Sequence, residues 1–129
     1  MPLVRVDVVE GRTDEEVRTL LDAIQEVMED VFAAPPRDRY QVLTEHPSGH
    51  LVLEDTGLGI ERTDGRVLVQ VVQQGRSEAQ KKALYAALAR RLGEATGLRP
   101  EDLVVSVTEN TREDWSFGYG VAQFLDGTL

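Results

Sequence analysis

The chain has 129 residues, a length that fits one domain large enough to bury a core without disulfide staples. It contains no cysteine, which excludes disulfides, thiolate catalysis and zinc sites built from cysteine. The 23 acidic and 14 basic residues give a formal net charge of -9, which disfavours nucleic acid and anionic lipid as partners. No secretory pattern follows Met1 and no stretch approaches about 20 apolar residues, so we expect a cytoplasmic protein that does not enter the membrane.

The first part of the chain reads as strand, helix and strand. In LVRVDVV the valines alternate with charged residues, which predicts a half-buried strand. Thr13 and Glu16 have the spacing of a capping box at the start of a helix. The helix is amphipathic, with apolar residues at a period of 3.6: Val17, Leu20, Leu21, Ile24, Val27, Met28 and Val31. Two prolines at 35–36 end it, and RYQVLT predicts the next strand.

A segment rich in glycine, proline and polar residues follows at 45–65. We expect a long loop there, with a short strand at Leu51 to Leu53. Its glycines lack the strand-to-helix setting of a phosphate-binding loop. His46 and His50 do not share a helix face and have no third ligand in the pattern, so no metal site is predicted.

The second part of the chain repeats the same order of elements. VLVQVV at 67–72 predicts a strand, and Ser77 with Gln80 predicts a second capped helix. Gly97 and Pro100 end that helix, and LVVSVT predicts another strand. The tail WSFGYGVAQFL is expected to form a hairpin or a short edge strand.

An offset of 64 residues, the separation of Gly11 and Gly75, aligns the two parts without a gap and indicates an internal duplication. We therefore predict a single domain over 1–129, with repeat halves at about 2–46 and 66–110. The fold class is α/β, an α+β sandwich of two tandem β-α-β units, with parallel strands inside each unit. A four-stranded sheet would carry both helices on one face. Because the strands around Val6 and Val69 are apolar, we expect the other face to pack against copies of the chain.

Pro2 would become the amino terminus if Met1 is trimmed, and its secondary amine could then act as a base, an acid or a nucleophile. A small residue after Met1 permits that trimming. Burial or nearby cations would lower the pKa of the amine, whereas a nearby carboxylate would raise it. The alternative is that Pro2 is only a tolerated first residue of a strand.

Arg76 precedes the helix cap Ser77, so its guanidinium and the helix N–H groups could form an anion site. Arg12 has the equivalent place in the first repeat, but Glu10 lies beside it, whereas uncharged Gln74 lies beside Arg76. The second entrance therefore suits a carboxylate better than the first.

The chain resembles the malonate semialdehyde decarboxylase family of the tautomerase superfamily. The matching segments are the proline after Met1 and the motifs EGRTD, DRYQ, VLEDTGLG, RSEAQK and DWSFGYG. The resemblance implies a homotrimer and chemistry without a cofactor. It also implies that Pro2 and Asp38 are catalytic and that Arg76 binds the substrate carboxylate. The implied pocket wall consists of Trp115, Phe117, Phe124 and Leu129.

Two positions bear on these implied roles. The family pattern has a second arginine where this chain has Gln74, which can donate hydrogen bonds to substrate but carries no charge. Asp38 shares its place in the repeat with Asp102, and both follow turn-like sequences, so a structural role is the alternative. The apolar tail residues could equally be core or interface residues.

The sequence therefore leads to one main hypothesis and two alternatives. The main one is decarboxylation of malonate semialdehyde or a similar small 3-oxo acid to acetaldehyde and CO₂. A second is a keto-enol tautomerase or a hydratase that acts on a small unsaturated or 2-oxo acid. The third is a trimeric scaffold without catalysis, in which Pro2 stays capped by Met1.

Overall fold

A computed structural model describes residues 2–129, and the predicted trimming of Met1 concerns a residue outside that range. The elements are β1 (Leu3–Val9), α1 (Asp14–Phe32), β2 (Tyr40–His46), β3 (Val67–Gln74), α2 (Glu78–Thr96) and β4 (Leu103–Asn110). Short 3₁₀ turns occupy Ser48–His50, Pro100–Asp102 and Arg112–Asp114. The two predicted strand-helix-strand units are thereby confirmed.

Both helices begin at the predicted capping boxes. The Thr13 hydroxyl accepts the Glu16 N–H, and the Glu16 carboxylate accepts the Thr13 N–H. Ser77 and Gln80 exchange the same two bonds at the start of α2. Beyond its last residue, α2 turns into the left-handed region at Gly97, where φ is 75° and glycine carries no steric penalty.

The sheet has the strand order β2-β1-β3-β4. β1 pairs with β2 and β3 pairs with β4, both in parallel, while β1 and β3 are antiparallel at the centre. This topology brings the start of β1 and β2 and the end of β3 and β4 to the same end of the sheet. The end of α1 and the start of α2 lie there too, because α1 leads into β2 and α2 follows β3.

One face of the sheet packs against both helices and forms the core. The buried residues of the two central strands alternate with exposed or half-buried ones and are joined by apolar residues of the helices: Val4, Val6, Val8, Val67, Val69, Val71, Leu20, Ile24, Met28, Leu84, Leu88 and Leu92. The predicted arrangement of two helices on one face is confirmed. Within residues 2–129, neither helix is apolar enough over a sufficient length to cross a bilayer.

The opposite face of the sheet differs from the expectation. Val6 and Val69 point to the helices, so the apolar content of their strands serves the core. The other face of the central strands carries Arg5 and Gln70, which are exposed. The same face also carries Val42, Leu68 and Val72, so it mixes polar and apolar residues. The apolar content of the core-facing valines does not by itself argue for self-association.

Two predicted strands outside the repeats are wrong. At Leu51 to Leu53 no strand forms, because the Arg66 guanidinium takes the Leu51 carbonyl at 2.8 Å and so replaces a ladder bond. In the tail the chain forms turns and no hairpin. The Gln123 side chain there accepts the Phe117 N–H at 2.9 Å and donates to the Gly118 carbonyl at 2.8 Å.

Candidate active site

Pro2 lies at the end of the sheet where the starts of β1 and β2 meet the ends of β3 and β4. It is buried and immediately precedes β1. Leu3 faces Tyr40 on β2 and Val72 on β3. Continuing the antiparallel register by one residue places Pro2 opposite Gln73. The sheet topology therefore places the residues at the end of β3, the start of α2 and the start of β2 at the same end of the sheet as Pro2.

The Arg76 guanidinium reaches from the start of α2 to the end of α1. Its Nη2 donates to the Phe32 carbonyl at 2.8 Å, and its Nη1 donates to the carbonyls of Gln74 and Gly75 at 3.1 Å. The guanidinium carbon lies 5.4 Å from the centroid of the Phe32 ring. The Nε–H takes no part in these bonds, and no carboxylate within residues 2–129 forms an ion pair with Arg76. The side chain is thus held in place by neutral acceptors and keeps its charge available for an anion.

The N–H groups at the start of α2 do not form the expected single anion site with the Arg76 guanidinium, because the two are directed to different partners. The Glu109 carboxylate lies at this entrance, where it accepts a hydrogen bond from the Lys81 ammonium at 2.6 Å. That hydrogen bond and the charge of Lys81 lower the pKa of Glu109, and the Arg76 backbone N–H contributes to the same shift. The Arg76 N–H is thus directed to Glu109, and the Ser77 and Gln80 N–H groups are taken by the capping box. The Arg76 guanidinium instead contacts the Phe32 carbonyl.

The end of β3 holds an unusual concentration of polar atoms without partners. Within residues 2–129, four buried side-chain nitrogen or oxygen atoms lack a hydrogen bond, and three of them belong to Gln73 and Gln74. The fourth is Nε2 of Gln25, in α1. Leaving such a group unpaired costs on the order of 1–3 kcal/mol, so native proteins retain few of them. Gln74, the residue that replaces the second arginine of the family pattern, has an amide nitrogen ready to donate.

Asp38 and its repeat equivalent Asp102 have different surroundings. Asp38 is half-buried, its backbone N–H donates to the Pro35 carbonyl at 2.9 Å, and no recorded side-chain hydrogen bond within residues 2–129 involves its carboxylate. Asp102 is 1% exposed and accepts bonds from the Thr63 N–H at 2.7 Å and the Thr63 hydroxyl at 2.5 Å. Asp102 is therefore a structural residue, while the Asp38 carboxylate has no structural partner among residues 2–129.

Three of the four predicted wall residues come together in the tail. The Phe117 ring stacks on Trp115 at 5.3 Å between centroids and meets the edge of Phe124 at 5.3 Å. Leu129 does not join the stack, since its side chain is 59% exposed. Its backbone N–H donates to the Gln123 carbonyl at 3.2 Å.

The structure adds residues that the sequence analysis missed. Tyr40 stacks on Phe117 at 5.8 Å and links the tail to the start of β2. Asn110 accepts the Trp115 indole N–H at 2.9 Å and so fixes that ring beside the end of β3, where Asn110 faces Gln74. Tyr40 could have been found within the DRYQ motif, whereas nothing near Asn110 in the sequence marks it.

The opposite end of the sheet carries a cavity of about 570 Å³ around Arg12. Arg12 donates to the Gly65 carbonyl at 3.0 Å, and Glu10, Glu15 and Asp64 line the same cavity. The excess of carboxylates makes this end unsuitable for an anionic ligand. The preference of a carboxylate ligand for the entrance at Arg76 stays a prediction, since Glu109 lies at that entrance as well.

Comparisons with known proteins place these features in a family. Two family models described as tautomerase enzyme match residues 38–118 and residues 2–60. The chain is 46% identical over 129 residues to YrdN, a probable tautomerase of Bacillus subtilis strain 168, and the match covers 100% of both chains. It is 32% identical over 127 residues to YusQ, another probable tautomerase of that strain, covering 98% of this chain and 100% of the relative.

Solved structures agree with this placement. A malonate semialdehyde decarboxylase described as having decarboxylase and hydratase activities matches with a TM-score of 0.95 and 45% identity over 98% of each chain. A second malonate semialdehyde decarboxylase, inhibited by 3-bromopropiolate, matches with a TM-score of 0.94 and 38% identity over 98% of this chain and 97% of that one. A fused 4-OT described as an asymmetric trimer has a TM-score of 0.77 and 25% identity, over 96% of this chain and 98% of that one.

Proposed function

This chain belongs to the tautomerase family, and we propose that it is a carboxy-lyase that works without a cofactor. Its substrate would be malonate semialdehyde or a similar small 3-oxo acid, and its products acetaldehyde and CO₂. The observation that carries the proposal is the group of polar atoms without partners at the end of β3. Unpaired amide atoms of Gln73 and Gln74 lie there, and the register places Gln73 opposite Pro2. Arg76, at the start of α2, forms no ion pair with a carboxylate of residues 2–129. The likeness to two malonate semialdehyde decarboxylases supports the same reaction.

In this proposal Arg76 holds the substrate carboxylate, and the Gln74 amide donates a further hydrogen bond. The carbonyl bonds of Arg76 fix its guanidinium before substrate arrives, which reduces the entropy lost on binding. A single cation suits a substrate with one carboxylate. The stacked rings of Trp115 and Phe117 supply an apolar wall, and such surroundings disfavour the localised charge of the carboxylate relative to the dispersed charge of the transition state.

Pro2 would create an acceptor for the electron pair of the breaking bond in one of two ways. Its ammonium can transfer a proton to the aldehyde oxygen, so that the electron pair of the bond between C2 and the carboxylate moves to the carbonyl and gives CO₂ and an enol; if the ammonium only donates a hydrogen bond, the product is the enolate. Alternatively its neutral amine adds to the aldehyde carbon and loses water to form an iminium, which becomes an enamine when CO₂ leaves. In both routes C2 then takes a proton, and in the second route water releases acetaldehyde. Asp38, which has no structural partner, would orient that water or keep Pro2 charged.

We also propose a homotrimer as the working assembly. Fused 4-OT of the same fold is described as a trimer. The edge strands β2 and β4 are open to pairing, since each has one strand neighbour in the sheet. The polar and apolar mixture of the exposed sheet face is compatible with burial between copies.

The second candidate is a keto-enol tautomerase in which Pro2 is a neutral base. It is favoured by Gln74, because a site with one guanidinium holds a carboxylate less tightly than the two arginines of the family pattern would. It also agrees with the description of YrdN as a probable tautomerase. The two candidates differ in product, since only the decarboxylase releases CO₂.

The test begins with protein whose intact mass shows that Met1 has been removed. Acetaldehyde formed from malonate semialdehyde is followed with a coupled alcohol dehydrogenase. We expect turnover in the wild type, a loss of at least about 100-fold in Pro2→Ala, and a comparable loss of kcat/KM in Arg76→Ala. The matched control is Arg12→Ala, which removes the equivalent arginine at the other end and should leave kcat/KM unchanged. No acetaldehyde from trimmed wild type, or equal activity in Pro2→Ala, would refute the decarboxylase proposal.

A further inference from the structure

Gln73 is a buried side chain whose amide has no partner at either end. It is 1% exposed, and within residues 2–129 neither Oε1 nor Nε2 forms a hydrogen bond. Val67, Val69 and Val71 alternate along β3 and are buried in the core. Continuing this alternation would place an apolar residue at position 73, where the chain has glutamine. An amide that interrupts such a series without a bond requires a partner that the rest of the chain does not supply.

The register of the sheet identifies where that partner lies. Leu3 faces Val72, so the next residue pair is Pro2 and Gln73. Both belong to the helix-facing side, since Pro2 is in phase with Val4 and Gln73 is in phase with Val71, which are both core residues. Residues directly opposite each other on one face of an antiparallel pair have Cβ atoms about 4.5–5.5 Å apart, which is within reach of a glutamine amide.

We propose that Gln73 is a positioning residue for Pro2: its amide oxygen accepts a hydrogen bond from the Pro2 ammonium and fixes the direction of the amine. The inference rests on the proposed function, in which the Pro2 amine acts on the substrate. A secondary ammonium has two N–H donors, so one is held by Gln73 and the other is directed to the substrate. The amide nitrogen of Gln73 then remains free to hold a water molecule at the same end of the sheet.

A neutral amide has a particular advantage at this position. A carboxylate beside Pro2 would hold the amine in its charged form, whereas an apolar side chain would leave the buried ammonium without an acceptor and would favour the neutral amine. Glutamine orients the Pro2 amine and shifts its pKa less than a carboxylate or an apolar side chain would. The other titratable groups placed at this end by the topology include Asp38, Tyr40, Arg76 and the Lys81–Glu109 pair, and they are the same in every variant described below.

Gln25 provides a matched control. It is 5% exposed, its Nε2 has no hydrogen bond within residues 2–129, and it lies in α1 about two turns before the end of that helix. Replacement by leucine removes a buried amide at either site, with one unpaired atom at Gln25 and two at Gln73. Both leucine variants should therefore unfold at a urea concentration equal to or higher than the wild type, and any difference in activity between them reports on the place of the amide.

The experiment compares Gln73→Leu, Gln73→Glu and Gln25→Leu in protein without Met1. The ¹⁵N resonance of Pro2 is titrated by NMR, and kcat and KM are measured with malonate semialdehyde. We expect Gln73→Leu to lower the pKa of Pro2 and Gln73→Glu to raise it, with Gln25→Leu unchanged. We also expect kcat to fall about tenfold or more in Gln73→Leu, the equivalent of one hydrogen bond to a charged group, with KM within about twofold.

The outcomes separate this inference from the proposed function. An unchanged Pro2 titration in folded Gln73→Leu would overturn the positioning role, whatever the activity. If the wild type releases no acetaldehyde, the proposed reaction fails while the titration still decides the role of Gln73. If Gln73→Glu does not fold, the comparison of Gln73→Leu with Gln25→Leu is sufficient, since it depends on the leucine variants alone.

Discussion

Asp38 and Asp102 occupy the same place in the two repeats, and their removal should have opposite consequences. Asp102 accepts two bonds from Thr63 and joins the loop at 47–66 to the start of β4. The Asp38 carboxylate forms no recorded side-chain bond within residues 2–129. Asp102→Ala should therefore reduce stability without affecting the chemistry, whereas Asp38→Ala should reduce activity without affecting stability.

The magnitudes follow from the contacts. A hydrogen bond to a charged group contributes about 1.5–3 kcal/mol, so the loss of two such bonds costs about 3 kcal/mol at the lower value. Arg99 adds little, because its Nη1 lies 3.9 Å from the Asp102 carboxylate and its side chain is 44% exposed. For Asp38→Ala the change in the free energy of unfolding should stay within about 0.5 kcal/mol, as for other sites without a structural contact.

Urea unfolding at a fixed protein concentration, followed by far-UV circular dichroism, measures the first effect. With a slope of about 1–3 kcal/mol per molar urea, a loss of 3 kcal/mol lowers the midpoint by about 1–3 M. Acetaldehyde release measures the second, with an expected fall in kcat of about tenfold or more for Asp38→Ala and none for folded Asp102→Ala. A destabilisation below about 1 kcal/mol in Asp102→Ala would show that the Thr63 bonds do not hold in solution. Equal losses of kcat in both variants would refute the separation of roles.

Three further substitutions test other contacts. Arg76→Lys keeps the charge but loses the planar fork, so kcat/KM for malonate semialdehyde should fall about tenfold; full activity would show that a point charge suffices. Gln123→Ala removes both bonds to the tail at Phe117 and Gly118, so the near-UV circular dichroism of the aromatic stack should weaken; an unchanged spectrum would contradict this role. The backbone N–H groups of Gly57 and Gly59 lower the pKa of Asp55. Its stabilising effect is thus complete above the ordinary carboxyl pKa and lost as pH falls through the lowered one. The wild type and Asp55→Ala should therefore differ in unfolding free energy at neutral pH and converge in strong acid, and a difference that persists in acid would refute the assignment.

The sequence predicts the repeated elements well because their signals are local. The alternation of valines, the capping boxes and the residues that end each helix all lie within a few positions of the structure they specify. The fold follows from them, since a helix between two strands requires a parallel crossover. The two wrong strands fail for the opposite reason. The side chains of Arg66, 15 positions from Leu51, and of Gln123, six from Phe117, take backbone groups that a strand would use.

Residues of the candidate site could be predicted where their signal is local, and not where it depends on contacts between distant parts of the chain. Arg76 stands beside a helix cap and can be found from its neighbours, although its guanidinium contacts the end of α1 rather than the N–H groups of α2. Gln73 is a polar residue in an apolar series, a signal present in the sequence but readable only once the register places it opposite Pro2. The stack of Tyr40 on Phe117 joins residues far apart in the chain, and no local pattern indicates it.

The duplication has a consequence for stoichiometry. Two equivalent ends of the sheet exist, but a polypeptide has one amino terminus, and the residue 64 positions after Pro2 is Arg66, an interior residue bonded to the Ser48 and Leu51 carbonyls. Chemistry that requires a terminal amine can therefore occur at one end only, whatever the symmetry of the fold. The other end of the sheet has no terminal amine, and its residues can serve the structure instead, as Asp102 does through its bonds to Thr63. A reagent specific for the terminal amine should accordingly saturate at one group per chain, and hence at three per assembly if the proposed homotrimer forms.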